Sequence, residues 1–539
     1  MTGHAIGRLS AKIASFTHPA GARAARLRML VGTANVQLAE ILKMRPTAPS
    51  SSNGEQAHIG EYDMTLEDYA HLGIYARSVV EVDGTTYFLT QRTGTQPKQL
   101  GILGNHAGFT GQPQDGVLLC PLTPANAAEL RARLPWLRPV TLGLQTSAGC
   151  GDRLGLATPG HIRAVRQVGG IAPIFAQQSM RENARTGRTP QQVVDDAIWG
   201  ILQEGWREPW GADADHLKSP ADIDLCVAAG YTFFTIDPGD HVDNDAHTAS
   251  LDVLEAKIHS LPWSELEDTP EQLHERYLDR SFAVEDLTIV FDATTLARAA
   301  AKYDRAIAHT VRMYRHLAAQ SQDFEFEMSV DETETPTSVQ EHFFIASELK
   351  RLGVQWVSLA PRYIGRFEKG VDYIGDLSEF EADLTKHAAI ARVLGPYKLS
   401  IQSGSDKFSI YPSVATLTRG LVHLKTAGTS YLEALRALAQ IDPDLFRRIV
   451  SYAIERYPED RATYHVSAEL SRVPDLEGLS TAELPRLLDQ FDARQVLHVT
   501  FGSVLDHFDE LIPVLADHEE THYAALEVHF VKHLEPFAR

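Results

Sequence analysis

Between Val140 and Thr426 the sequence returns eight times to a short apolar or alternating stretch that ends in polar residues and is followed by helical periodicity. The eight segments are Val140–Gln145, Gly170–Gln178, Trp210–His216, Tyr231–Asp237, Phe324–Asp331, Gln355–Ala360, Lys398–Ser403 and Leu421–Thr426. Strands that alternate with helices make a parallel sheet, because a parallel neighbour can be reached only by a crossover, and eight such units suit a closed (β/α)8 barrel. The rival is an open, doubly wound sheet, disfavoured because no GxGxxG follows a strand. The expected fold is α/β, a TIM-like barrel over residues 139–440 whose chemistry gathers at the C-terminal strand ends.

The flanks read differently. Residues Arg8 to Arg45 carry seven Lys/Arg against the single acid Glu40, and Pro/Ser/Gly-rich residues follow, so 1–55 reads as a basic tail and linker. Residues 56–138 read as a small α/β cap, with β-rich runs at Ser78–Val82, Thr86–Thr90 and Gly116–Cys120 and a helix at Ala125–Leu134. An insertion at 243–323 follows the fourth strand, and its helical stretch Thr294–Gln320 is expected to roof the barrel mouth. The helical spacing of Tyr431, Leu432, Leu435, Leu438, Phe446, Ile449 and Ile454 predicts a helical extension through 441–539.

Composition narrows the partners. A net charge of −21 argues against a protein built to sit on nucleic acid or an anionic membrane, where affinity comes from clustered Lys and Arg. No apolar run approaches the length of a membrane span, and Cys120, Cys150 and Cys226 form no CxxC pair. A cytoplasmic protein acting on a small molecule is expected, with oligomerisation left open.

The strand ends carry the chemistry. After the third comes Asp213-Ala-Asp215-His216-Leu-Lys218, in which a carboxylate adjoins an imidazole: an acid/base beside a metal ligand, or a helix cap beside a loop histidine. The fifth strand alternates strictly, so Glu325, Glu327, Ser329 and Asp331 share one face, and the apolar set suits the helix-covered outside. Carboxylates in a lumen are costly unless paired, hydrogen-bonded or bound to metal. His423 and Lys425 alternate inward on the eighth strand, and Ser400 and Gln402 on the seventh. The turn Ser403-Gly-Ser-Asp406-Lys407 offers an anion site or an ordinary βα turn. Asp152 and Arg153 follow the first strand, and Asp237-Pro-Gly-Asp240-His241 follows the fourth, with His241 a reserve metal ligand.

Taken together, Gly151-Asp-Arg-Leu-Gly-Leu-Ala-Thr-Pro-Gly-His161, Asp215-His216, Asp237-Pro-Gly-Asp-His241, Val330-Asp-Glu-Thr-Glu-Thr-Pro-Thr337, Ser403-Gly-Ser-Asp-Lys-Phe-Ser409 and His423-Leu-Lys-Thr-Ala-Gly-Thr429 resemble the tagaturonate/fructuronate epimerase family. The resemblance spans about residues 60–460 and implies a metal-dependent isomerase of hexuronates, or of the related ketohexoses tagatose and fructose. The Asp-His pair also looks like that of class II sugar aldolases, which implies Asp215 as acid/base and His216 as ligand to a divalent Zn, Mn or Ni ion. The family often has His where this chain has Gln402. The implied ligands are His216, Gln402 and His423, with Asp331, Glu332 and His241 as alternatives for the third. Asp215 and Glu327 are the implied catalytic pair, and Asp152, Arg153, Lys218, Asp331, Ser403, Asp406, Lys407 and Lys425 the substrate contacts.

The two hexuronates differ at the carbon β to the ketone, which deprotonation beside the carbonyl cannot invert. Transient oxidation and retro-aldol cleavage can, and without a dinucleotide fingerprint retro-aldol is expected. An aldolase that releases its fragments and a non-catalytic sugar-binding barrel subunit are the alternatives.

Overall fold

The computed structural model describes residues 66–91 and 97–538; the expected basic tail and linker lie outside them. Residues 80–121 form an antiparallel sheet of β1 (Val80–Val82), β2 (Thr85–Thr90), β3 (Gln99–Leu103), β4 (Gln112–Gln114) and β5 (Val117–Pro121) in the order β1-β2-β3-β5-β4, followed by a helix at Pro124–Arg133. β3 and β4 escape sequence reasoning because each is short and carries a helix-neutral Gln or a Pro instead of a β-branched run.

The eight parallel strands close on themselves: β6 (Ser147–Gly149), β7 (Ala172–Ser179), β8 (Gly211–Leu217), β9 (Phe233–Ile236), β12 (Glu325–Ser329), β13 (Ser358–Ala360), β14 (Lys398–Ile401) and β15 (Val422–Lys425). Between β9 and β12 lies a hairpin, β10 (Ser281–Val284) and β11 (Leu287–Val290). Closure excludes the open doubly wound sheet.

One strand begins later than expected. Val140–Gln145 is not β-sheet: Gly143 turns the chain at φ +63°, and the amides of Leu142 and Gly143 both donate to the Glu325 carboxylate at the start of β12. The segment plugs the closed end of the barrel, and the first strand is Ser147–Gly149.

Local sequence sets the helix starts. Ser179/Glu182, Thr189/Gln192, Ser219/Asp222 and Ser338/Glu341 form capping boxes, and proline follows the cap of the helices at Pro190–Glu204 and Pro220–Ala229. The expected roof helix instead packs in the outer ring: Ala293–Ala318 lies between the helices Pro220–Ala229 and Val339–Arg351. Its 16 buried residues include Leu296, Ala300, Tyr303, Ile307 and Val311, a 3–4 spacing that needs two neighbouring helices.

What covers the mouth is the C-terminal extension. Its core of Tyr431, Leu435, Leu438, Phe446, Ile449, Leu497 and Phe501 is separate from the main one. The last long helix, Glu519–Leu534, packs against Thr158–Val168 and Thr429–Ile441. No helix among the described residues is long and apolar enough to cross a membrane.

Histidines are buried along this seam. Burial pushes His161 and His522 down to about 4 and His533 to about 3. The unfolded chain therefore binds protons that the folded one refuses once the pH drops below about 6.5, and stability falls with pH down to the folded values, by at most about 1.4 kcal/mol per pH unit for each imidazole. Calorimetry should show the apparent Tm falling steadily between pH 6.5 and 4; a flat Tm there would contradict neutral burial.

Candidate active site

The strict alternation of β12 sends Glu325, Glu327 and Ser329 into the lumen, all buried. β15 contributes His423 and Lys425, β8 Asp213 and Asp215, and β14 Lys398, Ser400 and Gln402. Around Lys425 three carboxylates converge: its ammonium lies 3.0 Å from Asp213, 2.7 Å from Asp215 and 2.9 Å from Glu327. It also donates to Thr235 Oγ1 at 2.6 Å, and that hydroxyl donates to Asp213.

Burial pushes Asp215, Glu327 and Lys425 toward their neutral forms, and the partners outweigh it. Lys425 and His216 hold Asp215 well below the usual carboxylate range, Lys425 and His423 lower Glu327, and the carboxylates hold Lys425 well above the usual amine range.

Nearer the opening, His216 Nδ1 is 2.8 Å from Asp215 Oδ1, which directs Nε2 toward the mouth, 3.5 Å from Asp331. Gln177 donates to the other Asp215 oxygen at 2.8 Å. His216 sits at φ +55°, a left-handed conformation rare for a residue with a Cβ and frequent where a side chain must be aimed. Gln402 donates to Glu327 at 2.7 Å.

Several buried polar atoms here have no hydrogen-bond partner: His216 Nε2, Gln402 Oε1, Gln177 Oε1 and Glu327 Oε2. An unpartnered imidazole nitrogen, once deprotonated, and orphaned amide and carboxylate oxygens are the ligand set of a divalent cation, so the residues fit the metal that the resemblance implies. His423 Nε2 is also unpartnered, 3.8 Å from Asp213, but deeper in the barrel. His423 lies two residues nearer the closed end than Lys425, with Nδ1 2.9 Å from Ser147 Oγ. Asp331, beside His216, is better placed as a ligand than His241, which stacks on His309, or Glu332, which pairs with Arg181.

Among the described residues, one trio of His and Asp brings its ligand atoms within 4.8 Å of one another: Asp406, His529 and His533. Its atoms are already satisfied. His533 Nε2 accepts the Asp406 amide at 2.9 Å, and Arg494 lies 2.9 Å from the Asp406 carboxylate. A guanidinium at that distance repels a cation, and the trio anchors the last helix to the turn after β14.

Other expected substrate contacts have partners of their own. Asp152 accepts the amides of Leu154, Gly155 and Ala157 and caps its own turn. Arg153 pairs with Glu182 at 2.6 Å and stacks on Phe501. Lys407 donates to the carbonyls of Glu368, Val371 and Ser405, and burial pushes it down to about 7. Lys218 pairs with Asp240 and Asp237 at the rim.

Above the lumen a cavity of about 460 Å³ is lined by Asp331, Gln402 and Ser403 and by Arg362 just past the sixth strand segment, where strand ends point, and by Lys369, Tyr464 and Ser467, which the sequence does not suggest. The last three lie on the loop after β13 and in the C-terminal extension, where no strand periodicity points to them.

A closed parallel barrel whose C-terminal end joins carboxylates, an ammonium, an imidazole and a sugar-sized cavity defines a barrel enzyme that handles protons on a polar small molecule. Comparison with known proteins gives the particular family. The UxaE tagaturonate epimerase family model matches residues 75–537. The tagaturonate/fructuronate epimerase of Thermotoga maritima is 44% identical over 472 residues, 86% of this chain and 96% of that protein. Crystal structures of the fructuronate-tagaturonate epimerase of Cohnella laeviribosi, native and with one glycerol complexed, match with a TM-score of 0.83 at 40% identity, over 88% of this chain and 98% of theirs. This chain belongs to the tagaturonate epimerase family.

Proposed function

We propose that this chain interconverts tagaturonate and fructuronate by cleaving and remaking the bond between the carbons α and β to the ketone. The observation that carries the reading is the meeting of Asp215, Glu327 and Lys425 beneath a sugar-sized cavity, in a chain of this family.

In the cleaving direction a carboxylate takes the proton of the β-hydroxyl, the oxygen's electron pair forms the aldehyde, and the bonding pair of the broken C–C bond passes to the ketone oxygen. The aldehyde turns about its remaining C–C bond, the pair returns to its other face, and a carboxylate on that side restores the proton. Asp215 and Glu327 fill these two roles from β8 and β12. Lys425, within 3 Å of both, keeps them ionised and so competent as bases. The C-terminal roof excludes water that would protonate the carbanion.

A divalent Zn, Mn or Ni ion held by His216, Gln402 and Asp331 would supply Lewis-acid polarisation of the ketone. Asp331 replaces His423 in this set.

NMR of fructuronate in D₂O with metal-stripped protein, with and without Mn²⁺, Zn²⁺ or Ni²⁺, tests the reading. The expected outcome is metal-dependent tagaturonate with no deuterium at the inverted carbon. Deuterium there, or equal turnover without metal, overturns the mechanism. Free three-carbon product identifies an aldolase, and sugar binding without turnover a binding subunit.

A further inference from the structure

A hexuronate differs from a ketohexose by one carboxylate, two carbons from the carbon that inverts. A cation must meet that charge close to the reacting level, yet three cations expected from the sequence are engaged elsewhere: Arg153 on Glu182, Lys407 on three main-chain carbonyls, and Lys425 among three carboxylates. Within the hexuronate reading, we propose that Lys369, held on Ser403, is the group that recognises the substrate's carboxylate.

Position is the first argument. Lys369 Nζ donates to Ser403 Oγ at 2.6 Å, and Ser403 directly follows Gln402, whose amide reaches Glu327 at 2.7 Å. Lys369, Ser403 and Gln402 line one cavity, so the ammonium shares it with the side chain that reaches Glu327. Ser403 adopts φ +47°, a conformation that costs a residue with a Cβ and is retained where a side chain must be aimed.

Charge is the second. Lys369 is 3.7 Å from Glu332, and Glu332 is also paired with Arg181 at 3.1 Å. With Arg181 sharing Glu332, that carboxylate does not by itself neutralise Lys369. The Lys369 side chain is 23% exposed, held by its serine yet open to a ligand.

The other cationic side chains of the wall fit less well. Arg366 is more than half exposed and pairs with Glu368 at 3.3 Å, while Arg362 is tied by Nε to the Thr333 carbonyl at 3.2 Å. The carboxylate also belongs to the fragment that becomes the aldehyde, so an anchor there keeps that fragment in place while its aldehyde turns.

The test compares wild type, Lys369→Met, Lys369→Arg and Arg362→Met in fructuronate kinetics, and titrates each calorimetrically with glycerate and with glycerol. Loss of a charge-assisted hydrogen bond predicts a KM for Lys369→Met raised about 10- to 100-fold, with a much smaller change in kcat. Lys369→Arg should recover most of that loss and Arg362→Met should show little of it. Glycerate should bind wild type more tightly than glycerol, and Lys369→Met should erase the preference. An unchanged KM, a loss carried by Arg362→Met instead, or no glycerate preference overturns the assignment. A wild type that leaves fructuronate unconverted refutes the hexuronate reading, while the glycerate titration still decides whether Lys369 binds a carboxylate.

Discussion

Replacing Lys425 with methionine is expected to abolish turnover and to destabilise the fold by about 3–5 kcal/mol, the cost of leaving buried charges without their partner. Asp213, Asp215 and Glu327 all lie within 3.0 Å of its ammonium and are at most 5% exposed. Methionine fills the space and leaves three carboxylates facing one another, so two or more of them must take up protons to stay buried. Their pKa values then rise above those of the unfolded chain, which reverses the wild-type direction for Asp215 and Glu327. A group whose pKa is raised on folding contributes stability below its unfolded pKa and loses it as the pH rises. The deficit relative to wild type should therefore be small near pH 4 and grow toward pH 7. Thermal denaturation of both proteins across that range decides it; a variant as stable as wild type at pH 7 would mean that Lys425 does not neutralise this cluster.

Asp215→Asn should lower kcat/KM by about 10²- to 10⁴-fold, the usual contribution of a positioned acid or base, while shifting the apparent Tm far less than Lys425→Met does. Asparagine keeps the shape: its amide oxygen can accept from Lys425, 2.7 Å from Asp215 Oδ1, and its NH2 can donate to Gln177 once that amide turns its unpartnered oxygen toward it. It cannot take a proton from a substrate hydroxyl. It also removes the charge that favours imidazolium at His216, whose proton affinity burial lowers and Asp215 raises. Steady-state kinetics beside calorimetry separates the two effects. Activity within about threefold of wild type would remove Asp215 from proton transfer.

Much of the floor of this site can be read from spacing. Glu325, Glu327 and Ser329 share a face because strand side chains alternate, and Lys425 faces inward by the same rule. The rim is less legible. Asp152, Arg153 and Lys407 stand in motifs that suit a substrate, yet each finds partners in its own turn or in another element. Spacing gives the strand a residue ends, and it cannot give the direction of a loop side chain with no periodicity. Lys369 and Tyr464 are hidden for the converse reason, because they line the cavity only after the loop following β13 and the C-terminal extension fold over it.

The sequence by itself determined what is local or periodic. Seven of the eight strand segments and the acid–imidazole pair Asp215-His216 depend on neighbours within a few residues. Only the tertiary structure decided that Val140–Gln145 plugs the barrel, that Ala293–Ala318 joins the outer ring, and that the C-terminal extension forms the roof. It also decided that Lys425 meets three carboxylates at once. These outcomes follow from which charges and apolar faces meet when distant segments pack, and the strength of each contact depends on burial that exists only once the barrel has closed.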